Sequence, residues 1–495
     1  QAEDGIRDCL LSRGLGDVYK RQDFIVAATG DLQNPQQVLT KKELERYERA
    51  KKTFDKPVLI TTQDEAIKKE NNPIKNKTKT WRYKAEMVRD VAFAASRKFI
   101  WDAMAVQLDN YTPLAMSYYS KEGNPLWEEE STKAVANTLK TYSEHTIEYP
   151  YPVAISVHAA SIGMEYPMIC FNFGRPNEDG TYSDATKWRM ISVIIHEVGH
   201  FFIPMIINSD ERQWTWMDEG LNTFIQSLTQ REYYKDMPLR RGTAESMVDY
   251  MRSPKDMLRP IMTNSEQIAG REFGANAYGK PASALSVLRE TIMGPELFDY
   301  AFKEYSRRWA FKHPDPADFF RTMEDASAID LDWFWRGWFY TTDNVDVSVE
   351  GVKWFKMKNV DKPFENKAKV ENKEIKGRKN QSDDPKYAMP FEPSEFYFSE
   401  TNKNEYREFM NEVDDDKIKL QNSNKNFYEV TFKNIGGLVT PLIIEWTYED
   451  GSIEIEKLPA EIWRFNETEV SKVFAKDKVV KNIKLDPNLS LIHIS

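Results

Sequence analysis

Residues Trp188 to Asn222 read WRMISVIIHEVGHFFIPMIINSDERQWTWMDEGLN, and this stretch decides the fold around it. From Lys187 to Ile203 nearly every residue is apolar, so as a helix the segment is hydrophobic all round and belongs in an interior. Three polar residues interrupt it: His196, Glu197 and His200. Histidines at i and i+4 share one helix face a turn apart, the separation that a single metal ion needs from two imidazoles. Glu197, next to the first of them, then points toward a water held by the metal. Pro204 is expected to end the helix, because it cannot donate to the ladder and clashes with the preceding turn. Further on, Asp218 is expected to cap a new helix carrying Leu221, Phe224, Ile225 and Leu228 at helical spacing, which brings in Glu219 as third ligand. Read instead as plain core residues, these imidazoles and carboxylates would cost free energy unless something paired with them.

Zinc held by two histidines and one carboxylate keeps a fourth position open for water, the arrangement of hydrolytic rather than structural sites. The expectation is therefore one Zn²⁺ per chain on His196, His200 and Glu219, with Glu197 as general base while the metal polarises a carbonyl.

The composition is globular, 41% hydrophobic and 29% charged, and 495 residues suggest two to four domains. A formal net charge of -10 offers no basic surface for nucleic acid, so no nucleic-acid partner is expected. No apolar run approaches the length of a membrane span. Cys9 and Cys170 make no disulfide framework. The ends, QAEDGIRDCLLSRGLGDVYKRQ and SLIHIS, do not match the character of their neighbours; residues 1–22 and 490–495 are read as foreign, with the natural chain expected to begin earlier.

In order, residues 23–80 read as the remnant of an N-terminal β domain and a connector, with a strand in Asp23–Gly30 and a charged helix over 40–54. Trp81–Ala85 reads as a strand and Val88–Ser96 as a buried segment. An amphipathic helix over 126–147 carries Val135, Leu139 and Tyr142 on one side. Strands at 149–157 and 165–173 flank a loop that contains Gly163-Met164-Glu165-Tyr166. The chain is then mostly helical from 219 to 340. Residues 345–357 alternate like a strand, 358–392 have the composition of a charged linker, and 393–489 read as a small β-sandwich with Asp450-Gly451 as a hairpin turn. The fold class is α+β.

HEVGH with Glu219 downstream in WMDEGLNTF, preceded by GMEY (163–166) and followed by AYGKPASALSVL around Tyr278, resembles the membrane-alanyl-aminopeptidase family of zinc peptidases, the gluzincin aminopeptidases. The resemblance covers residues 81–345 and implies a thermolysin-like catalytic domain with a mainly helical second half, flanked by β domains. It implies hydrolysis of the N-terminal bond of peptides. It also implies roles: Glu165 binds the substrate's free α-amino group, Gly163 and Met164 belong to the strand that aligns the peptide, and Tyr278 donates to the oxyanion. Two departures, Tyr166 in place of the signature's asparagine and Pro281 in place of a glycine, bear on side-chain preference and on strict exopeptidase behaviour. The family's saddle-shaped N-terminal β domain is nearly all absent, and the resemblance implies export from a bacterial cell. Rival readings are an endopeptidase or other hydrolase on the same scaffold, and a non-catalytic interaction scaffold. Retention of His196, Glu197, His200, Glu219 and Tyr278 together speaks against the last.

Overall fold

A computed structural model describes residues 12–21, 23–74, 77–243, 245–356 and 424–488. The linker expected over 358–392 falls outside the described residues. The chain divides into two compact units, the first running to Met247 and resuming over Arg259–Leu331, the second made of Val248–Leu258 and the chain from Asp332 onward.

The first unit opens with β1 (Ser12–Arg21), β2 (Ile25–Ala28), β3 (Asp31–Leu32), α1 (Lys41–Ala50), β4 (Val58–Thr61), α2 (Gln63–Asn71), β5 (Thr78–Val88) and β6 (Phe93–Ser96). Ser12–Arg21, set aside as foreign in the sequence reading, runs antiparallel along β5, whose backbone groups can pair with an extended segment of almost any sequence. Val88–Ser96 is less buried than expected: Phe93 is exposed where β6 pairs with β2.

Next come β7 (Ile100–Ala105), β8 (Leu114–Tyr119), α3 (Leu126–His145), β9 (Val153–His158), β10 (Met164–Tyr166) and β11 (Ile169–Asn172). They build a six-stranded mixed sheet in the order β10-β11-β9-β8-β7-β4. β7 and β8 are buried along their whole length, as befits central strands covered on both faces. The sheet's far edge is β4, so Val58–Thr61, read from sequence as part of a connector, belongs to the same sheet as β9 and β11. At the other edge, β10 and β11 lie beside α4 (Asp184–Gly199), and the site forms there. Helices α5 (Leu221–Tyr233), α6 (Lys280–Val287), α7 (Pro295–Trp309) and α8 (Pro316–Ser327) complete the unit, so sheet and helices coexist in a mixed α+β fold.

The second unit holds α9 (Asp332–Tyr340) and six strands, β12 (Val347–Lys356), β13 (Asn426–Asn434), β14 (Leu442–Tyr448), β15 (Ile453–Leu458), β16 (Glu469–Lys476) and β17 (Val480–Leu485). Two three-stranded sheets, β12-β13-β16 and β15-β14-β17, share one core of Trp354, Tyr428, Trp446, Phe474 and their neighbours. The β14–β15 hairpin turns through Asp450-Gly451, with Gly451 at φ 81° and Asp450 Oδ1 accepting from the Ser452 amide at 3.0 Å. α9, the last helix of the stretch read as mostly helical, lies in the same unit as these strands, and Gly337 packs so near Leu438 that a Cβ there would lie 3.5 Å from it. No helix among the described residues is long and apolar enough to cross a membrane.

Candidate metal centre

α4 starts where Ser183 Oγ accepts from the Thr186 amide at 3.2 Å, with Asp184 in the first turn to complement the helix dipole. Met190, Ile191, Ile194, Ile195 and Val198 are fully buried, so packing on several sides sets the helix's rotation. The helix ends at Gly199 with His200 as its cap, a turn before Pro204, so the proline is not what stops it. His196 Nε2 and His200 Nε2 come within 3.2 Å of each other, their rings nearly perpendicular at 83°. Glu219 Oε2 lies 2.9 Å from the first and 3.3 Å from the second.

These separations fit a tetrahedral ion, since bonds of about 2.0–2.1 Å put ligand atoms roughly 3.3 Å apart. The outer contacts fit as well. His196 Nδ1 meets Gln226 Oε1 at 3.0 Å, and His200 Nδ1 meets both the Ile203 carbonyl and Asp218 Oδ1 at 2.9 Å. With each Nδ1 donating, each Nε2 keeps its lone pair for a metal. Gln226 is itself oriented by donating to the Ser192 carbonyl and hydroxyl at 3.0 and 2.9 Å.

Asp218 corrects the sequence reading. It does not cap a helix; it lies inside a wide π-type turn, Trp216–Gly220, that runs straight into α5, and its buried carboxylate serves His200. Gly220 lets α6 approach, because a Cβ there would sit 2.5 Å from Pro281 Cγ. Asn222 donates to the His196 carbonyl at 2.9 Å and accepts from Tyr142 Oη at 2.6 Å. The glycine within HEVGH follows from that pair: a Cβ on Gly199 would meet Asn222 Oδ1 at 2.2 Å and Tyr142 Oη at 2.3 Å.

A second wide turn, Gly274–Gly279, carries Tyr278. Its ring stacks on His196 at 5.6 Å and its hydroxyl donates to Glu219 Oε1 at 2.6 Å. Burial, reinforced by the Glu219 carboxylate, holds the phenol well above its usual pKa, so it remains a donor.

The GMEY loop lies directly on Glu197. A Cβ on Gly163 would fall 2.5 Å from Glu197 Oε1 and 2.8 Å from Val193 Cγ2, so only glycine lets the loop come this close. Glu165 pairs with Cys170 in the β10–β11 ladder, and its carboxylate gathers with His200 and Asp218 within 4.8 Å. Met164, by contrast, is exposed. Gly163→Ala is expected to keep bound zinc yet lower kcat by roughly a hundredfold, the penalty of moving a catalytic group by about 1 Å. Zinc content and turnover measured on one sample check this, and an unchanged kcat would mean the loop yields instead of Glu197.

The electrostatics ask for a cation. Four carboxyl groups, Glu165, Glu197, Asp218 and Glu219, surround two imidazoles in a mostly buried space. Burial first, with Glu165 and Glu219 adding and His200 opposing, pushes Glu197 up to about 8. Burial works against a charged His200, yet Asp218, Glu165 and Glu219 outweigh it and raise its pKa. Burial would also raise Glu219, but the two imidazoles overcome it and hold its carboxyl well below the usual range. A metal cation at the triad would take the place of the proton on His200 and stabilise the carboxylates of Glu219 and Glu197.

The structure thus gathers His196, Glu197, His200, Glu219, Glu165, Gly163 and Tyr278 and leaves only Met164 facing outward. Sequence reasoning missed the roles of Asp218 and Tyr142 and did not single out Asn222 or Gln226. Asn222 and Gln226 had a signal, since both recur after Glu219 on the same face of α5.

Compared with known proteins, residues 130–338 match the model of the Peptidase family M1 domain. The chain is 22% identical over 244 residues to "Aminopeptidase 2" of Candida albicans, covering 47% of this chain and 26% of that protein. It is 26% identical over 160 residues to "Glutamyl aminopeptidase" of Sus scrofa, covering 31% of this chain and 16% of that one. The chain therefore spans about a quarter or less of these relatives' length. Among solved structures, Legionella pneumophila aminopeptidase A in complex with aspartic acid superposes with a TM-score of 0.56 at 11% identity, covering 98% of this chain and 44% of that one. At that identity the likeness speaks for the fold.

Proposed function

On the premise that residues 130–338 of this chain match the Peptidase family M1 domain, we propose that the protein is a zinc-dependent aminopeptidase that hydrolyses the N-terminal bond of peptides. The observation that carries the reading is the meeting of His196 Nε2, His200 Nε2 and Glu219 Oε2 at 2.9–3.3 Å with the carboxyl groups of Glu197 and Glu165 alongside. Zinc on those three atoms supplies a Lewis acid for the scissile carbonyl and for water. We read the helix pair bearing the triad, beside a mixed sheet, as a thermolysin-like catalytic domain.

The chain's own residues then divide the work. Glu165 faces the substrate's ammonium, and Gly163 lets the peptide's first bond lie close over Glu197. Glu197, buried and with Oε2 free of any partner among the described residues, takes the proton from the attacking water and passes it to the leaving amine. Tyr278, a donor within 2.6 Å of Glu219 Oε1, is within reach of the oxyanion and turns its proton toward it as charge develops. Asp218 and Gln226 keep the imidazoles oriented.

The test compares free-amine with N-acetylated peptides on the zinc-loaded chain. Free-amine peptides are expected to be cut and acetylated ones spared. Glu165→Ala is expected to lower kcat/KM on free-amine peptides by about tenfold to a hundredfold, the size of a lost charge-assisted hydrogen bond. Equal cleavage of both substrate types by the unmutated chain would replace the exopeptidase reading with an endopeptidase.

A further inference from the structure

Arg241 lies in the loop between α5 and α6 and is exposed, yet the fold sets its position. The backbone beside it is pinned to α6: the Gly242 carbonyl accepts from Ser286 Oγ at 2.7 Å and the Thr243 carbonyl from Ser283 Oγ at 2.9 Å. Gly242 is buried at φ 78°, a left-handed conformation that favours glycine, and a Cβ there would press on Ser227 at 3.2 Å. This anchoring lays the Arg241 guanidinium over the Tyr278 ring, 4.5 Å from its centroid. It also rests against Gly274, where a Cβ would lie 3.5 Å from Nη2. Because Tyr278 stacks on His196 and donates to Glu219, a fixed cation stands one aromatic ring away from the metal triad.

A guanidinium held over a ring by cation–π attraction keeps N–H donors for other partners. Among the described residues Arg241 has no carboxylate partner, whereas Arg212, Arg231 and Arg289 of the same unit hold Glu266, Glu290 and Asp299. A planar N–H fork of this kind fits a carboxylate bidentately.

We infer that Arg241 is a specificity residue that binds a carboxylate of the peptide next to the scissile bond. Two sources share that chemistry, an acidic side chain among the first residues and the free C-terminus of a very short peptide. The inference rests on the aminopeptidase reading and names a substrate class within it. Substrate ammonium at Glu165 and substrate carboxylate at Arg241 would then fix a short peptide at both sides of the metal.

Paired peptides separate the sources. One pair carries Glu or Gln as first residue with an amidated C-terminus; the other is a neutral dipeptide with a free or an amidated C-terminus. The zinc-loaded chain is expected to favour the carboxylate member of at least one pair by roughly tenfold to a hundredfold in kcat/KM, the range of a charge-assisted hydrogen bond. Arg241→Gln is expected to erase that ratio, and Arg241→Lys to restore part of it. A preference absent from the unmutated chain, or one that survives Arg241→Gln, overturns the inference. So does an equal fall on all four peptides, which would make Arg241 only a prop for Tyr278. The same peptides titrated calorimetrically into the Glu197→Gln chain separate this from failure of the aminopeptidase reading. A carboxylate preference in binding that disappears with Arg241→Gln sustains the assignment even where no peptide is cut, and equal binding of the paired peptides overturns it.

Discussion

Glu197→Gln is expected to retain bound zinc and lose about 10²- to 10⁴-fold in kcat, the contribution of a positioned general base. The amide keeps the shape that the Gly163 loop packs against, so the loop and the ligands have no steric reason to move. It cannot, however, take a proton from water. The carboxyl group is nearly all buried, and the one carboxyl beside it, Glu165, has the substrate's ammonium as its partner in the proposed reading. Metal content by elemental analysis and turnover of a free-amine peptide, measured together, decide the matter. Activity within a few-fold of the unmutated chain would take the base role away from Glu197.

The second large effect concerns the ligands. His196→Ala and His200→Ala are both expected to lose zinc, since each removes one of the three converging atoms. They are expected to differ in stability. His200 is 1% exposed and its Nδ1 lies 2.9 Å from the buried Asp218 carboxyl, which burial already pushes up to about 7, so its removal leaves that group either ionised without a partner or forced to take up a proton in the interior. Stranding one partner of a buried pair costs about 3 kcal/mol. His196 meets the neutral Gln226 on that side and is partly exposed, and the Glu219 carboxylate it also faces keeps His200 Nε2 at 3.3 Å, so its loss leaves no carboxylate without an imidazole. Denaturant midpoints of the metal-free chains should therefore fall further for His200→Ala than for His196→Ala. Undiminished zinc in both variants would refute the triad, and equal midpoints would refute the role given to Asp218.

Part of this site was legible because the chemistry lies in local spacing. His196 and His200 share a face in any α-helix, and the apolar run around them requires burial whatever the partner. Gly451 after Asp450 marked its turn for an equally local reason, a positive φ that glycine takes without strain. Resemblance, rather than periodicity, pointed to Glu165, Gly163 and Tyr278, whose positions in the chain hold no geometric information about His196. Asp218 was misread because a capping residue and a buried partner of an imidazole look the same when only the following helix is considered.

What the sequence determined by itself, then, is the helix with its two imidazoles, the carboxylate poised to join them, and an α+β chain built around that helix. Tertiary structure decided the rest. It laid Gly163 on Glu197, turned Asp218 toward His200, set Arg241 over Tyr278, drew Val58–Thr61 into the same sheet as Val153–His158, and grouped Asp332–Tyr340 with the strands that follow it. The physical reason is common to all five. Backbone geometry fixes which side chains meet within a few residues, but contacts between distant segments depend on how whole faces pack, and that information is spread over many small apolar contacts, none of which a local pattern displays.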